Sequence, residues 1–167
     1  MGRLMRALTV FLADADWPFH CTDSPGHLVI PLPETKSCSK FIVEVREGLG
    51  QVLVFTMAWM SVPSEKREIV DHFIGRVNSR CALGSFDFDI DEGLVAYRTG
   101  IEVGATALTP ELIRPLFAYG FVATERHVPV IMDLVDEKIT LAIALEMLDE
   151  DDSGGDIGRT GGMFDGR

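Results

Sequence analysis

Asp87, Asp89 and Asp91 stand at alternate positions, the spacing with which an EF-hand calcium loop begins. Such a loop turns on a glycine at its sixth position and closes with a bidentate glutamate at its twelfth. Counted from Asp87, the sixth position is Glu92, the glycine comes one place late at Gly93, and the twelfth is Arg98. The string reads instead as the wet side of a strand whose other side is Phe86, Phe88 and Ile90. The histidines His20, His27, His72 and His127 lack the HExxH spacing of a zinc helix, and no CxxC or CxxH pair exists. They read as surface or half-buried side chains.

Nucleophilic catalysis needs a serine or cysteine beside a base. There is no GxSxG motif, and Gly84-Ser85-Phe86 opens a strand without the elbow's second glycine. Cys81 falls at a helix end, whose negative pole is the wrong place for a thiolate nucleophile. Gly48-Leu49-Gly50 joins two strands, whereas a phosphate cradle joins a strand to a helix. Asp16, His27 and Arg98 are left as the scattered polar groups of a ligand-binding or enzymatic site, if folding brings them into one cleft. No cofactor or metal site is expected.

The elements that would position these residues come from a chain of 167 residues with 47% hydrophobic content and a mean hydropathy of +0.18. That is enough for one folded domain with a sizeable core. No apolar run reaches the roughly 18 residues of a membrane helix, and no signal peptide is evident, so the cytoplasm is the expected compartment. Cys21, Cys38 and Cys81, odd in number and widely spaced, suit free thiols in a reducing compartment. The net charge is −11, and no basic stripe exists, which disfavours nucleic acid and anionic membranes as partners.

Leu4, Met5, Leu8, Phe11 and Leu12 share one helix face, which should end near Asp14 to Asp16. His27 to Leu32 reads as a short strand, placed at an edge by Pro31. Lys40 to Glu47 alternates, with Phe41, Val43 and Val45 on one side and Lys40, Glu44 and Arg46 on the other. Gln51 to Met60 is apolar on both faces, as in a strand covered on both sides or packed at an interface. Ser61 to Glu65 opens a helix with a serine cap and a first-turn proline. Ile69, Val70, Phe73, Ile74 and Val77 form its buried side. Phe86 to Val103 is a hairpin turning at Asp91-Glu92-Gly93. Thr109-Pro110-Glu111 caps a further helical region that Pro115, Gly120 and Pro129 should bend or break. Lys138 to Leu148 is the last helix. The acidic, glycine-rich stretch from Asp149 to Arg167 reads as a disordered tail, in which Met163-Phe164 is a candidate docking motif. The order α-β-β-β-α-β-β-α-α predicts an α+β fold: an antiparallel sheet of about five strands with helices packed against it.

Asn78, Leu83-Gly84, Phe86, Asp91-Glu92-Gly93, Val95 and Tyr97-Arg98 together resemble the signature of the YbjN-domain family, bacterial sensory transduction regulators. Leu108-Thr109-Pro110-Glu111-Leu112 is similar to the family's next helix start, and Pro129 to its late-helix proline. The resemblance covers about residues 3 to 148, which makes 1–148 a single domain and 149–167 its tail. It implies a fold similar to that of type III secretion chaperones, and a protein that binds other proteins. With the absence of a catalytic constellation, this makes a non-enzymatic regulator or chaperone-like adaptor the leading expectation. Met57, Trp59 and Met60 are the expected interface residues, because methionines adapt to varied partners and apolar patches mark interfaces. A small-ligand binder or enzyme with an unrecognised site, and a structural homodimer, are the rival expectations.

Overall fold

The computed structural model describes residues 1–32 and 35–153, with side chains through residue 150. The element order is α1 (Arg3–Asp14), β1 (His20–Cys21), β2 (His27–Pro31), β3 (Cys38–Arg46), β4 (Gln51–Ser61), α2 (Arg67–Asn78), β5 (Ser85–Asp89), β6 (Leu94–Glu102), α3 (Pro110–Val135) and α4 (Leu141–Ser153). The strands form one antiparallel sheet in the order β1-β2-β3-β4-β6-β5. The α+β reading therefore holds, with one strand more than expected. That strand, β1, has two residues, too few to carry a periodic pattern; its pairing of His20 with Val29 covers half of β2 and leaves Pro31 paired on one side only.

All four helices lie on one side of the sheet. Phe41, Val43, Val45, Val52 and Val54 pack against α1 and the first half of α3, forming one hydrophobic cluster with Leu4, Leu8 and Phe117. Trp17, the aromatic anchor after α1, stacks on Phe41 at 5.9 Å and meets Phe117 edge-on at 5.4 Å. A second cluster joins α2, α4 and the end of α3 to Phe86, Val95 and Tyr97. At 26 residues α3 is long enough to serve both clusters.

α3 runs unbroken through Pro115 and Pro129, so of the expected bend or break, the break does not occur. Each proline deletes one helical hydrogen bond, but Ile113, Leu116 and Phe117 around the first, and Val128, Ile131 and Leu134 around the second, are buried against the sheet or α2 and hold the helix in place. Gly120 lets α3 descend onto β4, because a Cβ there would collide with the Thr56 hydroxyl. Ser61 is not a helix cap: it ends β4, and its hydroxyl donates to the Glu92 carbonyl. A 3-10 turn over Ser64–Lys66 leads into α2 without a side-chain cap. Thr140 caps α4 through the Ile143 amide, and α4 continues to Ser153, into the stretch read as tail. Residues 154–167, including Met163-Phe164, and residues 33–34 lie outside the described residues.

Candidate protein-binding face

Side chains of a strand alternate between the two sides of a sheet, and the register shows which residues share the side without helices. Ile42 pairs with Val29 and with Phe55, Phe55 with Arg98, Leu53 with Gly100, and Met57 with Ala96. The uncovered face thus has an apolar band of Val29, Ile42, Leu53, Phe55 and Met57, all half-buried among their neighbours. None of them joins either helix-covered cluster. Trp59 and Leu94 extend the band toward the hairpin end and are 54% and 45% exposed. Trp59 lies where β4 and β6 fall out of step between Met57 and Ser61. Such a bulge re-aims side chains.

Charged side chains flank this band in fixed pairs. Arg46 donates through Nε and Nη2 to Glu44 at 2.7 and 3.2 Å. Arg98 does the same to Asp87 at 2.8 and 3.3 Å. Gln51 donates to Glu102 at 2.8 Å. The hydrogen bond from Arg46 holds the Glu44 carboxyl below its usual range. Between the pairs lies a shallow depression of about 470 Å³ lined by Leu53, Phe55, Arg46, Arg98 and Glu102. Solvent screens such pairs, so their consequence is a rim of fixed polarity around an apolar floor rather than stability.

Of the three expected interface residues, Met57 and Trp59 share the uncovered face. Met60 does not join them: it packs against the second cluster on the helix side. Asp16, His27 and Arg98 do not converge. Asp16 ends the α1 turn beside Trp17, in the helix layer. His27 is on β2, three strands away from Arg98 on β6. Among the described residues no three His, Cys, Asp or Glu side chains gather at metal-binding distance. The alternate aspartates are divided between other tasks. Asp87 holds Arg98, while Asp89 accepts the Asp91 and Glu92 amides at 3.0 Å each and so builds the hairpin turn.

The hairpin is fastened from several directions. Asn78, at the end of α2, donates to the Phe86 carbonyl at 2.9 Å and accepts the Phe86 amide at 2.7 Å, as a neighbouring strand would. The edge of β5 is therefore already occupied at Phe86, which blunts strand addition there. Tyr97 donates its hydroxyl to the Leu83 carbonyl at 2.6 Å, and burial pushes that phenol well above its ordinary value. Arg67 reaches the Ile90 and Asp91 carbonyls at 2.9 and 2.6 Å. Gly93, at φ +73°, docks just past the end of β4, where its carbonyl accepts the Val62 amide.

The sequence profile of YbjN, described as "Putative bacterial sensory transduction regulator", matches residues 6–132. The chain belongs to the YbjN family. The crystal structure of YbjN from E. coli, described as "a putative transcription regulator", has the same fold, with a TM-score of 0.54 at 15% identity over 76% of this chain and 86% of that one. No curated protein matches the chain. Among the residues that carry the resemblance, Asn78, Phe86, Gly93 and Tyr97 fasten the hairpin. The residues of the uncovered face that sequence reasoning missed are Val29, Ile42, Leu53, Phe55 and Leu94. Ile42 had a signal, an isolated apolar residue on the polar side of Lys40, Glu44 and Arg46.

Proposed function

We propose that the chain is a non-enzymatic, protein-binding regulator of the YbjN type, a chaperone-like adaptor that works in the cytoplasm. One observation carries this reading: a sheet with every helix on one side and an apolar band on the other, ending in an exposed Trp59. Exposed apolar area rimmed by charge is the ordinary composition of a protein interface, with aromatic and methionine side chains at its centre. The family's description as a regulator agrees with it. The net charge of −11 favours a protein partner over nucleic acid or an anionic membrane.

The test is pull-down of the tagged protein from its native cells, with Trp59→Asp and Met57→Asp beside the wild type. Loss of a stoichiometric partner in both variants, with unchanged circular dichroism, supports the reading. Full capture by a folded double variant removes the uncovered face from it. Met60→Asp serves as the contrast, since it places a carboxylate against the second cluster and should unfold the protein rather than spare it.

A further inference from the structure

We infer that the partner seated on the uncovered face is a second copy of this chain, packed sheet to sheet; this rests on the protein-binding reading of that face. Charge is the first reason. The chain carries −11, but the uncovered side of strands β3 to β5 bears Lys40, Arg46 and Arg98 against Glu44, Asp87, Glu102 and Asp89, a net of −1. Two of those acids are already held by arginines of the same face. A strongly basic or strongly acidic partner finds no complement there. A second copy meets a near-neutral surface of mixed sign, which is what a self-complementary contact requires.

Area is the second reason. From β2 to β5 the sheet is about 19 Å wide at ~4.8 Å per strand spacing, and Gln51 to Trp59 runs about 27 Å at ~3.4 Å per residue. The two faces together bury about 1,000 Å² in projection, at the threshold of a specific but weak interface. The other exposed apolar pair at helical spacing, Ile143 and Met147 on α4, covers a single turn and offers far less.

Edge pairing is the remaining route to a dimer, and this sheet offers little of it. β1 has two residues, and the Phe86 groups of β5 are bonded to Asn78. The face is left as the seat.

Sedimentation velocity of the full chain from about 1 to 200 μM, at low and at moderate salt, tests the inference, with Phe55→Glu, Trp59→Glu and Met147→Glu as variants. The expected result is a one-chain to two-chain transition that tightens severalfold with salt, because screening removes the repulsion between two copies of charge −11. Phe55→Glu and Trp59→Glu should shift it at least tenfold toward the single chain, and Met147→Glu should leave it unchanged. Trp59 is exposed enough that its variant reports the interface even if Phe55→Glu disturbs folding. A single-chain mass throughout overturns the inference. If the pull-down partner is still lost in the Trp59 and Met57 variants, the protein-binding reading survives that result. A two-chain mass that persists in both face variants, or is lost only in Met147→Glu, overturns the sheet-to-sheet seat. Association that weakens with salt overturns it as well.

Discussion

Replacing Asn78 by Ala removes the side chain that closes the open edge of β5. The Asn78 amide makes two hydrogen bonds to one residue, Phe86, which is only 3% exposed. Each such bond contributes about 1 kcal/mol net, and more if the group left behind is cut off from water. Alanine returns about 0.5 kcal/mol through its better helix propensity at the end of α2. The net loss is therefore about 1.5 kcal/mol. For a domain of this size that lowers Tm by about 3–6 °C. Thermal and urea unfolding followed by circular dichroism would measure it, and amide exchange at Phe86 should accelerate in parallel. Asn78→Asp separates the two bonds. It keeps an acceptor for the Phe86 amide but sets a carboxylate oxygen against the Phe86 carbonyl, so it should cost more than alanine. A Tm within 1 °C of wild type for Asn78→Ala, or an aspartate variant more stable than the alanine one, would refute the strand-mimic account.

Gly93→Ala should cost about 2 kcal/mol or more, because the residue sits at φ +73° and its new methyl would overlap the Val62 carbonyl; urea midpoints check it. Thr56→Val should raise stability by about 1 kcal/mol, since the fully buried Thr56 hydroxyl has no hydrogen-bond partner among the described residues and valine keeps its shape. The Cys38 thiol is raised by burial, so the folded protein keeps that proton longer than the unfolded chain. The contribution is whole below the ordinary thiol value near ~8.5 and declines as pH rises from there to the raised native value. The urea midpoint should therefore fall from about pH 8.5 upward, with a shallower slope in Cys38→Ala.

Elements with a strong period were legible in the sequence. Alternation between Phe86 and Ile90, and again from Val95 to Val103, marked the hairpin, and the double apolarity of Gln51 to Met60 marked a strand with two apolar sides. That second property pointed to the uncovered face but not to which residues share it. Met60 packs with the second helix-side cluster and Met57 does not, and the irregular pairing of β4 with β6 between Met57 and Ser61 removes the simple period from which the sides could be read. Ile42 and Val29 could be added only once the register was fixed, because their partners come from other strands. β1 was too short for any pattern. α3 defied its prolines because tertiary burial outweighed two missing hydrogen bonds. Asn78 was visible only as part of a resemblance: nothing in its local sequence says that a helix-terminal amide will pair with a strand eight residues on.

Tyr97 and Arg98 show how a hairpin without a catalytic group sets the make-up of the uncovered face. They are consecutive on β6, so the period of two places them on opposite sides of the sheet. Tyr97 points into the helix layer, buried against Phe86 and bonded to Leu83. Arg98 lies on the uncovered face, opposite Phe55 and paired with Asp87. A slip of β6 by one residue would exchange them, putting a guanidinium in the second cluster and a phenol on the face. The hairpin is held against that slip by the Gly93 turn on Val62, by Arg67 on the turn carbonyls and by Asn78 on Phe86. None of these residues belongs to the apolar band. They determine its composition all the same, because the register they hold decides which side chain of every β6 pair lies on the uncovered face.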